Sequence, residues 1–167
     1  MTEGQASMLN RLFPRQVDNT FDGHRAALWL LGLFLALKLV MSVNSILNTA
    51  SVATGGDGLP LDSFGPAEAR TVLMLFALTS LGQLTITLIA LTTLIRYRAM
   101  VPFIYLALLG EQLARRFIVN SYAVVRTEGA PVGWYVNFAL LVLLTLGLVL
   151  SLIPARQRPV AGGGERP

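Results

Sequence analysis

The chain has 167 residues, of which 54% are hydrophobic and only 13% are charged, and its formal net charge is +4. Soluble domains carry about 25% charged residues, so this composition predicts a membrane protein. The chain has no cysteine and a single histidine, His24, which excludes disulfides, thiolate catalysis, iron–sulfur clusters and cysteine zinc sites. The basic residues flank apolar segments and form no soluble patch, so we expect no nucleic-acid partner.

Residues 1–24 are predicted to form a cytoplasmic amino-terminal segment. Apolar residues at helical spacing indicate a short helix in the membrane interface, which Pro14 would end. These residues are Met8, Leu9, Leu12 and Phe13. The alternative for this segment is an unstructured tail.

Four apolar stretches are each long enough to form a membrane-spanning helix, which needs about 20 residues. They cover residues 26–47, 71–95, 99–119 and 134–153. We therefore predict an all-α integral membrane protein, with an antiparallel four-helix bundle over residues 25–154 and a flexible cytoplasmic tail over residues 155–167. The first stretch has one alternative, a signal peptide cleaved at Ser51-Val52-Ala53. The stretch is too long and begins too far from the amino terminus to favour that alternative.

The connections between the spans differ in character. Residues 50–65 are rich in glycine and proline and predict an external loop, after which Pro66 suits the first turn of a helix. Asp57 and Asp62 in this loop lack the spacing of a calcium-binding loop, so we predict a plain turn, no metal site and no cofactor. Arg96-Tyr97-Arg98 is a very short link, which predicts an antiparallel hairpin of spans two and three.

The distribution of arginine predicts that both termini are cytoplasmic. Eight arginines fall on the side of the termini and the short link, whereas two to four fall on the other side. The eight are Arg11, Arg15, Arg25, Arg96, Arg98, Arg156, Arg158 and Arg166. The expected location is a bacterial-type inner (plasma) membrane.

Three polar residues are predicted to share one depth in the membrane. Lys38 and Glu111 lie equally far into spans one and three, and Gln83 lies equally far from the end of span two. At about 1.5 Å per residue, all three lie about 18 Å from the cytoplasmic edge. Charge at this depth is costly and marks a candidate functional site. We predict a Lys38–Glu111 ion pair flanked by Gln83, with Arg115 one turn from Glu111 and able to pair with it.

Further polar residues predict a lining in the outer half of the membrane. They are Ser42, Asn44, Ser45, Asn48 and Asn137. Two interpretations of the polar layer stay open, structural contacts between helices and a path for a solute or proton. Two pairs of small residues one turn apart, Gly147 with Ser151 and Gly110 with Ala114, would allow close approach of helices.

The sequence favours a non-enzymatic role as an accessory subunit, assembly factor or homo-oligomeric scaffold. Its partners would be the lipid bilayer and either a second copy or another membrane protein. The alternative is a small transporter or channel that uses Lys38, Gln83 and Glu111 as a site for anions or protons, although no inverted repeat is evident. An intramembrane enzyme would need a Ser–Lys dyad of Lys38 with Ser42 or Ser45, a spacing that often arises by chance.

Overall fold

The structure is a computed structural model that describes residues 10–14, 16–122 and 132–154. Within these ranges the regular elements are all helical, as predicted, and an isolated bridge joins Gly23 to Pro154. Four long helices make up most of the chain. They are α1 (Arg25–Leu47), α2 (Pro66–Arg96), α3 (Val101–Ser121) and α4 (Val132–Leu152).

Three of the long helices, α1, α2 and α4, are long and apolar enough to cross a membrane. Their composition supports the predicted membrane location. Helix α3 forms close to its predicted range, but it is not one of these three. It carries three charged residues in its second half, Glu111, Arg115 and Arg116.

Local sequence features explain where the long helices begin. Helix α1 starts after His24, whose Nδ1 atom accepts a hydrogen bond of 3.2 Å from the backbone N–H of Ala26. Helix α2 begins at Pro66, which the sequence placed in a first helical turn, and it therefore starts before the predicted apolar stretch at residue 71. Proline in the first turn and an acidic residue near the positive helix end both favour this earlier start.

The segment between α1 and α2 is more regular than the predicted loop. Its residues form a helical turn (Thr49–Ser51), a wider π-helical turn (Val52–Gly56) and a 3₁₀ turn (Leu61–Ser63). Gly58 has a φ of 69°, a left-handed conformation that favours glycine. The chain then folds back, and the N–H of Leu59 donates to the carbonyl of Ala53 over 2.9 Å. This fold holds Asp57 and Leu59 beside the helix bundle.

One half of the bundle has an apolar core, at the end where the turn at Tyr97 joins α2 to α3. Helix α1 packs against both α2 and α4, and α3 packs mainly against α4. Tyr105 is fully buried at the centre and donates a hydrogen bond of 2.6 Å to the carbonyl of Ala27. Its ring lies directly against Gly147 on α4. The buried apolar residues are Ala27, Leu31, Phe34, Leu35, Ala90, Val101, Tyr105, Leu108, Leu140 and Leu144.

The amino-terminal segment closes this apolar end of the bundle. Arg11 donates a hydrogen bond of 2.7 Å to the carbonyl of Leu152, and the rings of Phe13 and Phe103 lie 5.6 Å apart. Residues 10–12 are helical and Pro14 follows them, and the interfacial position of this helix stays a prediction. Met8 and Leu9, which belong to the same prediction, lie outside the described residues, as does the predicted tail over residues 155–167.

A local turn shapes the same segment at Asp18. The backbone N–H and the hydroxyl of Thr20 donate to Asp18 Oδ1 over 3.0 and 2.6 Å. These hydrogen bonds, the one from the hydroxyl first, lower the pKa of the Asp18 carboxyl below its ordinary value. The carbonyl of Asp18 accepts a hydrogen bond of 3.3 Å from the N–H of Ala99, which ties the segment to the turn between α2 and α3.

Candidate functional site: a polar cavity between the helices

A partly open cavity of about 420 Å³ occupies the half of the bundle opposite the apolar core. Its walls come from the second half of α1, the first half of α2, the second half of α3 and the first half of α4, with the α1–α2 connection at one side. Its size falls within the range of small-molecule sites, about 300–1,000 Å³. The charged and amide side chains that line it are Lys38, Asp57, Gln83, Gln112, Arg115, Arg116, Asn120 and Asn137.

Most of the side chains predicted as a polar layer lie in this cavity. Lys38, Gln83 and Arg115 come from three different helices and line one space. Lys38 is only 5% exposed and Gln83 only 8%. Three residues of the predicted outer lining, Ser42, Ser45 and Asn137, also contribute to the wall.

Glu111 pairs with Arg115 on its own helix. The Nε and Nη2 atoms of Arg115 donate to Glu111 Oε1 over 2.9 and 2.5 Å, and Nη2 also donates to Gln83 Oε1 over 3.1 Å. The predicted pairing within α3 is therefore present. The predicted Lys38–Glu111 ion pair is wrong: Glu111 is paired with Arg115, one turn further along α3, and Lys38 forms no ion pair with the described residues.

Lys38 is left without a carboxylate partner. Among the residues that the structure describes, no acidic group lies within ion-pair distance of its Nζ atom. Its ammonium lies 5.9 Å from the centre of the Phe34 ring, on the same helix, at the border with the apolar core. Lys38 thus forms the floor of the cavity.

Asn44 and Asn48 do not belong to the lining, which corrects the sequence prediction. Both are exposed, and Asn48 Nδ2 donates to Asn44 Oδ1 over 2.8 Å on the outside of α1. The reason is helical geometry, since successive residues turn by about 100°. Lys38, Ser42 and Ser45 share the inner face, and Asn44 falls on the opposite one.

Three residues at the cavity, Gln112, Arg116 and Asp57, were not predicted as site residues from the sequence. Gln112 is 6% exposed and follows the buried Leu108 by one helical turn, so the spacing of α3 carried a signal for its inward direction. The guanidinium of Arg116 lies 5.2 Å from the ring of Trp134, a cation–π contact that joins α3 to α4. Asp57 was predicted in a plain turn, and only the fold-back of that connection brings it to the cavity.

Three buried polar atoms at the cavity have no hydrogen-bond partner among the described residues. They are Ser42 Oγ, Gln83 Nε2 and Gln112 Nε2. A buried group left unsatisfied costs about 1–3 kcal/mol, so such groups normally face water or a ligand. Because Ser42 Oγ is unpartnered, it does not form the hydrogen bond to Lys38 that a Ser–Lys dyad needs.

No protein-family model, no curated protein and no solved structure matches this chain. We therefore infer the function from the geometry of the cavity and the distribution of charge.

Proposed function

We propose that this chain is a four-span membrane protein that binds a small polar ligand in the cavity, without catalysing a reaction. One observation carries the proposal. Lys38 and the three residues with unsatisfied polar atoms line one partly open cavity large enough for a small molecule. Contacts between helices account for Gln83 Oε1, which accepts a hydrogen bond from Arg115, but they leave Lys38 and these three atoms without partners among the described residues.

The contacts made by the charged residues of α3 support the four-span topology. Glu111 neutralises Arg115, and the Arg116 guanidinium lies over an aromatic ring at the end of the helix. These contacts lower the cost of placing α3 in a bilayer. We further propose that both termini face the cytoplasm, since Arg11, Arg25 and Arg96 lie at the apolar end of the bundle. The cavity then faces the outside of a bacterial-type inner membrane.

The ligand would reach the cavity from the external side. The opposite half of the bundle is filled by the apolar core around Tyr105, which closes the route to the cytoplasm. A binding protein can work with this core closed. A transporter, the second candidate, would have to open it, and the position of Lys38 at the floor of the cavity, about halfway along α1, supports that candidate.

The role as an accessory subunit, assembly factor or homo-oligomeric scaffold stays a prediction. Of the two small-residue pairs that would allow a second helix to approach, one makes contacts within the chain instead. Gly147 and Ser151 are buried within the chain, where Gly147 accommodates the ring of Tyr105. Gly110 on α3 has open space around it and is the remaining candidate for contact with a second helix.

Cysteine labelling tests the proposal directly, because the chain has no cysteine of its own. Ser45→Cys and Asn137→Cys should react with a membrane-impermeant thiol reagent added outside intact cells. Leu144→Cys in the apolar core should stay unreactive, and Ala99→Cys at the other end should react only after the cells are permeabilised. Unreactive Ser45→Cys and Asn137→Cys would refute an externally open cavity, and reaction of Ala99→Cys in intact cells would refute the topology.

Flux measurements separate the two candidate functions. Proteoliposomes that bind a ligand but do not accumulate it would support a binding protein. Ligand uptake that is lost in Lys38→Met would instead support the transporter.

A further inference from the structure

The hydrogen-bonding groups of the cavity that lack partners include the donors of two amides. Arg115 has only donors, so the atom of Gln83 that it contacts is the oxygen, and the Nε2 end of the amide is left for another partner. The Nε2 of Gln112 is also buried and unpartnered. Gln83, Gln112 and Lys38, whose side-chain nitrogens are donors, all line the same cavity. A ligand that satisfies them must supply acceptor oxygens.

Among the described residues, the charges around the cavity include one more positive than negative group. Three cations line it, Lys38, Arg115 and Arg116. Two acids oppose them, Asp57 on the wall and Glu111, which is paired with Arg115. Among these cations, Lys38 is the one that is buried and forms no ion pair with the described residues. A buried charge without a partner is costly, so an anion is the ligand that this arrangement favours.

The walls of the cavity also include apolar side chains. Met41, Phe76 and Leu141 lie beside the donors, on α1, α2 and α4. A hydrated inorganic ion would leave these surfaces without contacts. An organic anion would contact them with its carbon atoms and place its oxygens on the donors.

From these features we propose that the cavity binds an organic oxyanion with one negative charge, a phosphodiester or a carboxylate, held by Lys38 and the amides of Gln83 and Gln112. This inference rests on the proposed ligand-binding function and specifies its ligand. The same oxyanion chemistry occurs in soluble metabolites and in the headgroups of anionic lipids, so the experiment treats these as separate sources.

Trp134 provides the reporter for the test. It lines the cavity beneath Arg116. The chain has two tryptophans, and Trp29 is 81% exposed on the outer surface of α1. A Trp29→Phe protein therefore reports on the cavity through a single fluorophore. In uncharged detergent it is titrated with diethyl phosphate, with butyrate and, as a cation control, with tetraethylammonium.

The lipid source is tested in nanodiscs. Phosphatidylcholine discs, with and without phosphatidylglycerol, differ in the negative charge of the headgroup. A saturable fluorescence change with diethyl phosphate or butyrate identifies a soluble anion as ligand. A change with phosphatidylglycerol alone identifies a lipid headgroup. Both results support the proposal.

Two variants and one control establish which residues hold the anion. Lys38→Met and Gln112→Leu should each weaken the apparent affinity about tenfold or more, since a hydrogen bond to a charged group is involved. Arg98→Met, at the opposite end of the bundle, should titrate like the parent protein. Both cavity variants remove an unsatisfied buried group, so their melting temperatures without ligand should equal or exceed that of the parent. This measurement distinguishes a loss of binding from a loss of folding.

The proposal is overturned if no anion or anionic lipid changes the fluorescence, if tetraethylammonium binds as well as the anions, or if Lys38→Met titrates like the parent. The cysteine-labelling experiment tests the proposed function separately. If cysteines at positions 45 and 137 are labelled while no anion binds, the cavity is open and accepts a different ligand.

Discussion

Replacing Gly147 with alanine should destabilise the protein, whereas the same change at Gly110 should not. A Cβ atom at position 147 would overlap with the ring and hydroxyl of Tyr105. The ring cannot move aside easily, because it is fully buried and its hydroxyl is bonded to the carbonyl of Ala27. A Cβ atom at position 110 would meet nothing within 4 Å.

The expected magnitudes follow from two opposing effects. Alanine in place of glycine stabilises a helix by about 1 kcal/mol at either position. At position 147, overpacking costs about 1–3 kcal/mol, and displacement of the ring would also weaken a hydrogen bond worth about 0.5–1.5 kcal/mol. We expect Gly147→Ala to lower the free energy of unfolding by about 2 kcal/mol and Gly110→Ala to raise it by up to about 1 kcal/mol.

Reversible unfolding in mixed micelles, followed by circular dichroism, measures both variants. A second background identifies the cause. In a Tyr105→Leu protein the ring is absent, so Gly147→Ala should cost little or become favourable, and the difference is the coupling between the two positions. Equal unfolding free energies for Gly147→Ala and Gly110→Ala would refute the packing of Tyr105 against α4.

Two further results are expected. The double reversal Glu111→Arg with Arg115→Glu should recover most of the stability lost in either single variant, because these two residues are in contact. The double reversal Lys38→Glu with Glu111→Lys should not, because those two residues form no ion pair. Equal recovery in unfolding titrations would contradict the pairing of Glu111 with Arg115. Thr20→Val should raise the pKa of Asp18 part of the way toward 3.8, its ordinary value, in an NMR titration. Because the folded pKa is depressed, the stability from these hydrogen bonds is present above the unfolded pKa and is lost as pH falls through the folded one. An unchanged Asp18 titration in Thr20→Val would remove the hydroxyl as the cause.

The sequence was sufficient to predict the helices, because long apolar stretches have few alternatives in a membrane. The sequence also predicted a common depth for Lys38, Gln83 and Glu111 from helical rise alone. Depth, however, says nothing about rotation around a helix axis. That is why Asn44 was predicted in the lining and is exposed, and why Glu111 lies beside Arg115 and not opposite Lys38.

The features that could not be predicted depend on contacts between distant segments. Asp57 reaches the cavity only because the α1–α2 connection folds back through a π-helical turn and Gly58. The inward direction of Gln112 could have been found from its spacing to Tyr105 and Leu108. Its lack of a partner could not, since that depends on how the other three helices pack around it.

The chemical reactivity of Lys38, which is the only lysine in the chain, shows whether the cavity is open to ligands. Reductive methylation with ¹³C-formaldehyde labels amines that water-soluble reagents can reach, and NMR distinguishes a lysine side chain from the amino terminus. We expect Lys38 to be methylated in the folded protein in nanodiscs and a bound organic anion to slow the reaction. Complete protection of Lys38 without any ligand, with methylation only after unfolding, would contradict a ligand-accessible cavity and would favour a dry, structural role for the polar residues.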